Sequence, residues 1–282
     1  MLKNNPCYFL FILLWASSAE ISAHGIAGDR YFPPTISVDD PYAADEAHTV
    51  IGKTPNIGGA DTRASNMMMA GFGVEPMDGF GIAIDGLYRD PNTNLNAQSS
   101  GFDNLYFTVK KELTINDVHE FAISLGINGQ IGGSGGEGSV KYTTYAPSIF
   151  YAKGFGDLPS SMRLLRPFAV TGVLGYQIPT DQTQARVLNW GFTIQYSFLY
   201  LNDHIQTIGW GDPFKRMIAV VEFPVHTCMT TICNGQMLGS MNPGIVWVGS
   251  TLNLSLEAVL PINSQSGRAI GGLFQIHKYL GH

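Results

Sequence analysis

The stretch FAISLGINGQI, residues 121–131, is apolar at Phe121, Ile123, Leu125, Ile127 and Ile131, and small or polar at Ala122, Ser124, Gly126, Asn128 and Gln130. A period of two sustained over such a run marks a β-strand with two unlike faces. The pattern recurs along the chain: LYFTVKKEL (105–113), VLNWGFTIQYSFLYL (187–201) and LNLSLEAVL (252–260) all alternate. Further strands are predicted at 65–74, 80–89, 139–154, 166–178, 214–226, 244–249 and 269–280, and helical periodicity is scarce. Several of these runs reach the nine to eleven residues that a tilted strand needs to cross a bilayer, whereas strands of soluble proteins average about five or six.

Alternation alone leaves open which face is inside. In a soluble sandwich the apolar face is core, and in a transmembrane barrel it meets lipid. Three features favour lipid. The second face carries mostly Thr, Ser, Gly, Asn and Gln, and charged residues make up only 13% of the chain, against about 25% for ordinary soluble proteins. Aromatic residues near strand ends, such as Tyr88, Tyr200 and Trp247, suit an interfacial girdle. Tight turns (EPMDG, TIND, GST) alternate with longer links, as they do between the two sides of an outer-membrane barrel. Eleven strands are visible, and barrels of this kind are even-stranded. DEAHTVIGK (45–53) supplies a twelfth. The expectation is therefore an all-β chain forming an antiparallel transmembrane β-barrel of about twelve strands (10–12), with both termini periplasmic. Leu252, Leu254 and Leu256 would then face lipid. The lumen-facing candidates are Lys110, Glu112, Asn128, Gln130, Gln195, Asn253, Glu257, Gln275 and His277. With both charge signs present, an open lumen would be weakly ion-selective and a filled one would be salt-bridged.

The N-terminus reads MLKNNPCYFLFILLWASSAEISAHG. A lysine, a short apolar stretch and then small residues make a secretory signal peptide, cleaved after Ala23 or Ala19 and leading into the Sec pathway. No later stretch is long and apolar enough for a transmembrane helix. The predicted organisation is a signal peptide (1–23), a periplasmic or luminal segment (24–44) and an outer-membrane barrel (45–282). Cys228 and Cys233, in CMTTIC, are expected to pair as a disulfide in an oxidising compartment. Cleavage after Ala23 would expose His24 as the N-terminal residue. An amine and imidazole together suit Cu(II), so the alternative to a channel is a soluble periplasmic or secreted β protein binding a metal or ligand through His24. Asp39, Asp40, Asp45 and Glu46 could bind Ca²⁺, but a solvated acidic arm is the expectation.

HGIAGDRYFPPTISVDDPYAADE (24–46) and MNPGIVWVGSTLNLSLEAVLPINSQSG (241–267), the latter with its Asn242-Pro243-Gly244 start, resemble a group of Gram-negative exported outer-membrane proteins. They are similar to the barrel family assigned to aromatic (phenol) meta-cleavage operons. The two segments cover under a fifth of the chain. The resemblance implies an outer-membrane barrel passing small solutes, and it brings no catalytic residue. One departure is the end of the chain, KYLGH, where barrels of this kind finish on an aromatic residue.

Other functions lack their signatures. The net charge of −6 opposes a nucleic-acid partner. No GxSxG elbow occurs, and GGSGGEG (132–138) lacks the Lys-Ser/Thr and helix of a phosphate loop. His277 alternates with Ile276 and points inward, and His119 sits beside a turn. No enzyme activity and no cofactor are expected. The partners expected are outer-membrane lipid and a small solute, with the oligomeric state left open.

Overall fold

The computed structural model describes residues 25–57, 63–90 and 100–280. Twelve antiparallel strands form the wall: β1 Glu46–Pro55, β2 Ala64–Met77, β3 Phe80–Asp90, β4 Tyr106–Asn116, β5 Phe121–Gln130, β6 Thr144–Gly154, β7 Phe168–Pro179, β8 Val187–Ser197, β9 Met217–Cys228, β10 Met237–Val248, β11 Leu252–Pro261 and β12 Gly271–Tyr279. Each strand pairs with its neighbours in sequence, and eight pairs from Gly272↔Lys53 to Tyr279↔Glu46 join β12 to β1. Closure matters physically. In hydrocarbon an unpaired backbone group costs several kcal/mol, and only a sheet without edges avoids that cost.

The alternation sorts the side chains as the sequence suggests. Phe72, Ile84, Leu125, Ile149, Leu174 and Leu256 project outward and are exposed, while Ser124, Ser148, Thr193, Ser255 and Gln275 face inward and are buried. On β11 burial alternates from Leu252 to Leu260: Leu252 and Leu256 are exposed, and Asn253, Ser255 and Glu257 are buried. This is a transmembrane β-barrel of twelve strands, with its apolar side outermost.

Several boundaries differ from the sequence reading. The strand expected at 244–249 begins at Met237, because β10 continues through a polar stretch (Ser240, Asn242) that faces the lumen. The strand expected to run to residue 201 stops at Ser197. The Ser197 hydroxyl caps the short helical stretch Phe198–Ile205 by accepting from the Tyr200 amide (3.1 Å). Tyr200 therefore belongs to no girdle; it is buried under the barrel rim. The three short connections, at 78–79, 117–120 and 249–251, lie at the rim that holds Glu46 and Tyr279. That terminal rim also carries the long connections 155–167 and 198–216.

Residues 25–45 enter the barrel from the terminal rim and return before β1 begins. The entry is fixed by a two-by-two strand pairing, Ile26–Ala27 with Arg30–Tyr31. Ala27, Phe32 and Tyr42 pack with Ala122, Ala152 and Ala169 of the wall. A fully buried Phe such as Phe32 contributes about 2–3 kcal/mol. Deeper in, Ile36 packs beside Val50, Val259 and Leu273. The wall makes room with glycine. A side-chain carbon on Gly81 would sit 3.0 Å from Ala43 Cβ, and one on Gly191 would sit 3.1 Å from Val38 Cγ2. The acidic residues of this segment are thus not a solvated arm. Its length, apolar anchors and these small wall residues fold it into the lumen.

Candidate functional site: the lumen and its inserted segment

The inserted segment is held by side chains that reach it from around the wall. At the rim, Arg30 donates to Glu120 Oε2 (3.2 Å), to the Pro167 carbonyl (3.0 Å) and to the Arg166 carbonyl, and its guanidinium stacks 3.8 Å from the Tyr200 ring centroid. Burial, with the nearby Glu120 charge, pushes the Tyr200 phenol up to about 12. Further in, Lys110 Nζ donates to Asp39 Oδ1 (2.8 Å) and to the carbonyls of Asp40 (2.6 Å) and Tyr42 (3.3 Å). Glu112 Oε1 accepts from the Ala43 amide (2.7 Å), and Ser124 donates to the Pro41 carbonyl. Asp45 Oδ1 accepts from the Glu75 amide (2.7 Å). At the segment's apex, around Ile36–Val38, Glu222 accepts from both the Ile36 and Ser37 amides at 2.8 Å, and Asn242 donates to Ser37 Oγ (3.0 Å). On the other flank Asn253 donates to Tyr31 Oη (2.8 Å).

The nine sequence candidates divide by position. Lys110, Glu112 and Asn253 bond the inserted segment directly. His277 Nε2 lies 2.8 Å from Glu46 Oε2, where the segment joins β1. Glu257 lies beside Glu222. The other four bond within the wall or its loops: Asn128 accepts from Ser148 Oγ (3.0 Å), Gln130 donates to Asp103 (3.2 Å), Gln195 donates to Thr171 Oγ1 (3.4 Å) and Gln275 accepts from Ser255 Oγ (3.3 Å).

The lumen-facing candidates read from the sequence did not include Glu222, Asn242, His48 or Asp85. His48 Nε2 lies 3.3 Å from Asp85 Oδ1, and its ring stacks on that of His277 with centroids 6.4 Å apart. The available signal was the same for all four: a polar residue on the inward phase of a strand. Glu222 was hidden because its strand, IAVVEF, is apolar on both faces. Cys228 and Cys233 are joined in a disulfide at the rim opposite the termini, with Cα atoms 6.0 Å apart. Among the described residues no group of three or more His, Cys, Asp or Glu side chains is placed to hold a metal ion. His24 lies outside the described residues.

The segment does not fill the lumen. A cavity of about 720 Å³ runs along it, with Lys110, Asn128, Gln130, His48, Gln275 and His277 in its lining. A second, of about 540 Å³, lies toward the opposite rim among Thr54, Arg89, Asp103, Glu137, His226 and Asn242. These walls offer donors, acceptors and both charge signs.

A closed wall, an apolar exterior and a polar, partly occupied interior define the class: a porin-like transmembrane β-barrel. No family profile and no curated protein sequence matches the chain. Among solved structures it is similar to the KdgM porin, with a TM-score of 0.51 and 12% identity over 84% of this chain and 99% of that one. It is also similar to the NanC porin, with a TM-score of 0.50 and 8% identity over the same shares. An outer membrane channel from Pseudomonas putida F1 aligns at a TM-score of 0.49 and 9% identity, over 88% of this chain and 99% of that one. At such identities the likeness is one of fold.

Proposed function

We propose that the protein is an outer-membrane channel through which small solutes pass passively, narrowed from the periplasmic side by its own residues 25–45. In this reading residues 1–23 are a Sec signal removed near Ala23, residues 24–44 are luminal, and the barrel spans the membrane from residue 45 onward. The observation that carries it is the pairing of an exposed apolar exterior with cavities of about 540 and 720 Å³, lined by polar and apolar side chains together, inside a closed wall. A barrel built only as an anchor needs no such space, since about eight strands already close around an interior that side chains fill. The porin-like fold supports the reading, and the resemblance of 24–46 and 241–267 to the meta-cleavage operon family points the same way. Asp39 with Lys110, and Arg89 with Asp103 at 3.6 Å, line the route with paired charges, so selectivity between small anions and cations should be weak.

The test is fractionation of expressing cells, followed by electrophoresis of boiled and unboiled samples and then conductance in planar bilayers. The expected result is retention in urea-washed outer membrane, a mobility shift on boiling, and small, weakly selective conductance steps. Recovery in the soluble periplasm without a heat shift would overturn the membrane placement. A heat-modifiable barrel that never conducts would overturn the channel.

A further inference from the structure

Four inward side chains stand in a row on adjacent strands beneath the apex of the inserted segment. Thr193 on β8 is directly opposite Glu222 on β9, which is directly opposite Asn242 on β10. Glu257 on β11 is opposite Gly244. A side-chain carbon at Gly244 would collide with Glu257 Cγ, so the glycine lets the Glu257 carboxyl lean across β10 toward Asn242 and Glu222. All four residues are at most 2% exposed.

Apart from those of Glu222, their side-chain oxygens lack hydrogen-bond partners. Thr193 Oγ1, Asn242 Oδ1 and both carboxylate oxygens of Glu257 are buried without a hydrogen bond. The Glu222 and Glu257 carboxyl groups are near enough to act on each other directly, with Asn242 and the Ile36 amide also close to Glu257; with both carboxyls ionised, acceptor faces acceptor and neither satisfies the other. The Glu222 oxygens accept from the Ile36 and Ser37 amides of the inserted segment, and the Val38 amide also acts on them, which fixes that carboxylate. The groups acting most strongly on the pair are the two carboxyls themselves, Asn242 and the backbone of Ile36–Val38; no lysine or arginine is among them. Two carboxylates buried without a countercharge cost several kcal/mol each.

We propose that Thr193, Glu222, Asn242 and Glu257 form a binding site for one hard divalent cation of the Ca²⁺ type, which braces the inserted segment to the wall through Glu222. The ligand set is all oxygen: two carboxylates, an amide carbonyl and a hydroxyl. That chemistry suits Ca²⁺, which accepts six to eight oxygens in irregular arrangements, better than Mg²⁺, which demands a near-ideal octahedron. Two negative charges match a divalent ion. An entry path exists, because Asn242 also lines the cavity toward the opposite rim. The competing way to neutralise the pair is a proton shared between the two carboxyls. That explanation leaves Thr193 Oγ1 and Asn242 Oδ1 unexplained, whereas a cation engages all four residues. The inference stands apart from solute passage, and a barrel that never conducts would still bind the ion.

The experiment uses the full mature chain folded in detergent and stripped with a chelator, then titrated with Ca²⁺ by calorimetry and heated with and without Ca²⁺. The expected result is one saturable site per chain and a higher unfolding midpoint with Ca²⁺ than without it. Glu257→Gln should weaken binding at least a hundredfold. Thr193→Val, which keeps both carboxylates, should weaken it about tenfold and carries the test if Glu257→Gln does not fold. Absence of uptake by the unmodified chain up to millimolar Ca²⁺ would overturn the site in favour of the shared proton. Wild-type affinity in both variants would place any bound ion elsewhere and equally overturn it.

Discussion

Leu256 and Glu257 are neighbours in sequence and occupy opposite environments: the first is 59% exposed on the outer wall, the second 2% exposed inside it. If that exterior is lipid, Leu256→Arg should destabilise the barrel by about 2–4 kcal/mol, the range for a basic residue near the bilayer midplane. Urea unfolding in lipid vesicles measures this, and a neutral result would mean that Leu256 faces water. A gentler effect is expected at the terminal rim. There Asp157 Oδ2 lies 2.8 Å from Lys153 Nζ and 3.2 Å from His119 Nδ1. The Lys153 ammonium, with His119 second, holds the Asp157 carboxyl below the usual carboxylate range. A carboxyl lowered on folding contributes stability above its unfolded pKa of about 3.9, and that contribution is lost as pH falls through the lower folded value. Asp157→Asn should therefore cost under about 1 kcal/mol at pH 7, as for an exposed pair, and progressively less in acid. Unfolding midpoints of both forms at pH 7 and pH 3 check this. An unchanged gap at pH 3 would assign the effect to packing.

At the scale of elements, the wall was legible in the sequence and its contents were not. A strand announces itself locally, because the residues that set its period are adjacent. All twelve strands of the wall, including the faint β1, follow from that period and from the demand for an even count. Residues 25–45 have no period. Their partners are remote: Lys110 lies 70 positions from Asp40, Glu222 lies 186 from Ile36 and Asn253 lies 222 from Tyr31. Composition suggested a solvated acidic arm only because the distant cation and amide acceptors could not be seen. The candidate list shared this limit. It found Lys110 and Glu257 by their phase and missed Glu222 in a strand that is apolar on both sides. Since the wall's backbone bonds are independent of the inserted segment, a chain lacking residues 25–44 should still close and still shift on boiling. Its conductance should rise severalfold over that of the full chain, because the atoms that narrow the lumen would be gone. Equal conductance in planar bilayers would show that the restriction lies elsewhere.

For the molecule as a whole, the order of the contacts along the chain has a consequence for assembly. The segment that ends up inside precedes every strand of the wall, yet its hydrogen-bonding partners on the wall lie on β2, β4, β5, β9, β10 and β11. It cannot settle until most of the wall exists. When it does settle, it reads the pairing of those strands. Two residues from Glu222 along the inward face of β9 stand Val220 and Pro224, and neither offers an acceptor side chain to the Ile36 and Ser37 amides. A barrel zipped two residues out of step would keep every side chain on its proper face and nearly all its ladder bonds, so the wall alone barely distinguishes it from the native one. The incoming segment does distinguish it, since it would find its acceptors missing. Residues 25–45 thus make their full set of bonds only in a barrel whose staves are in the right alignment.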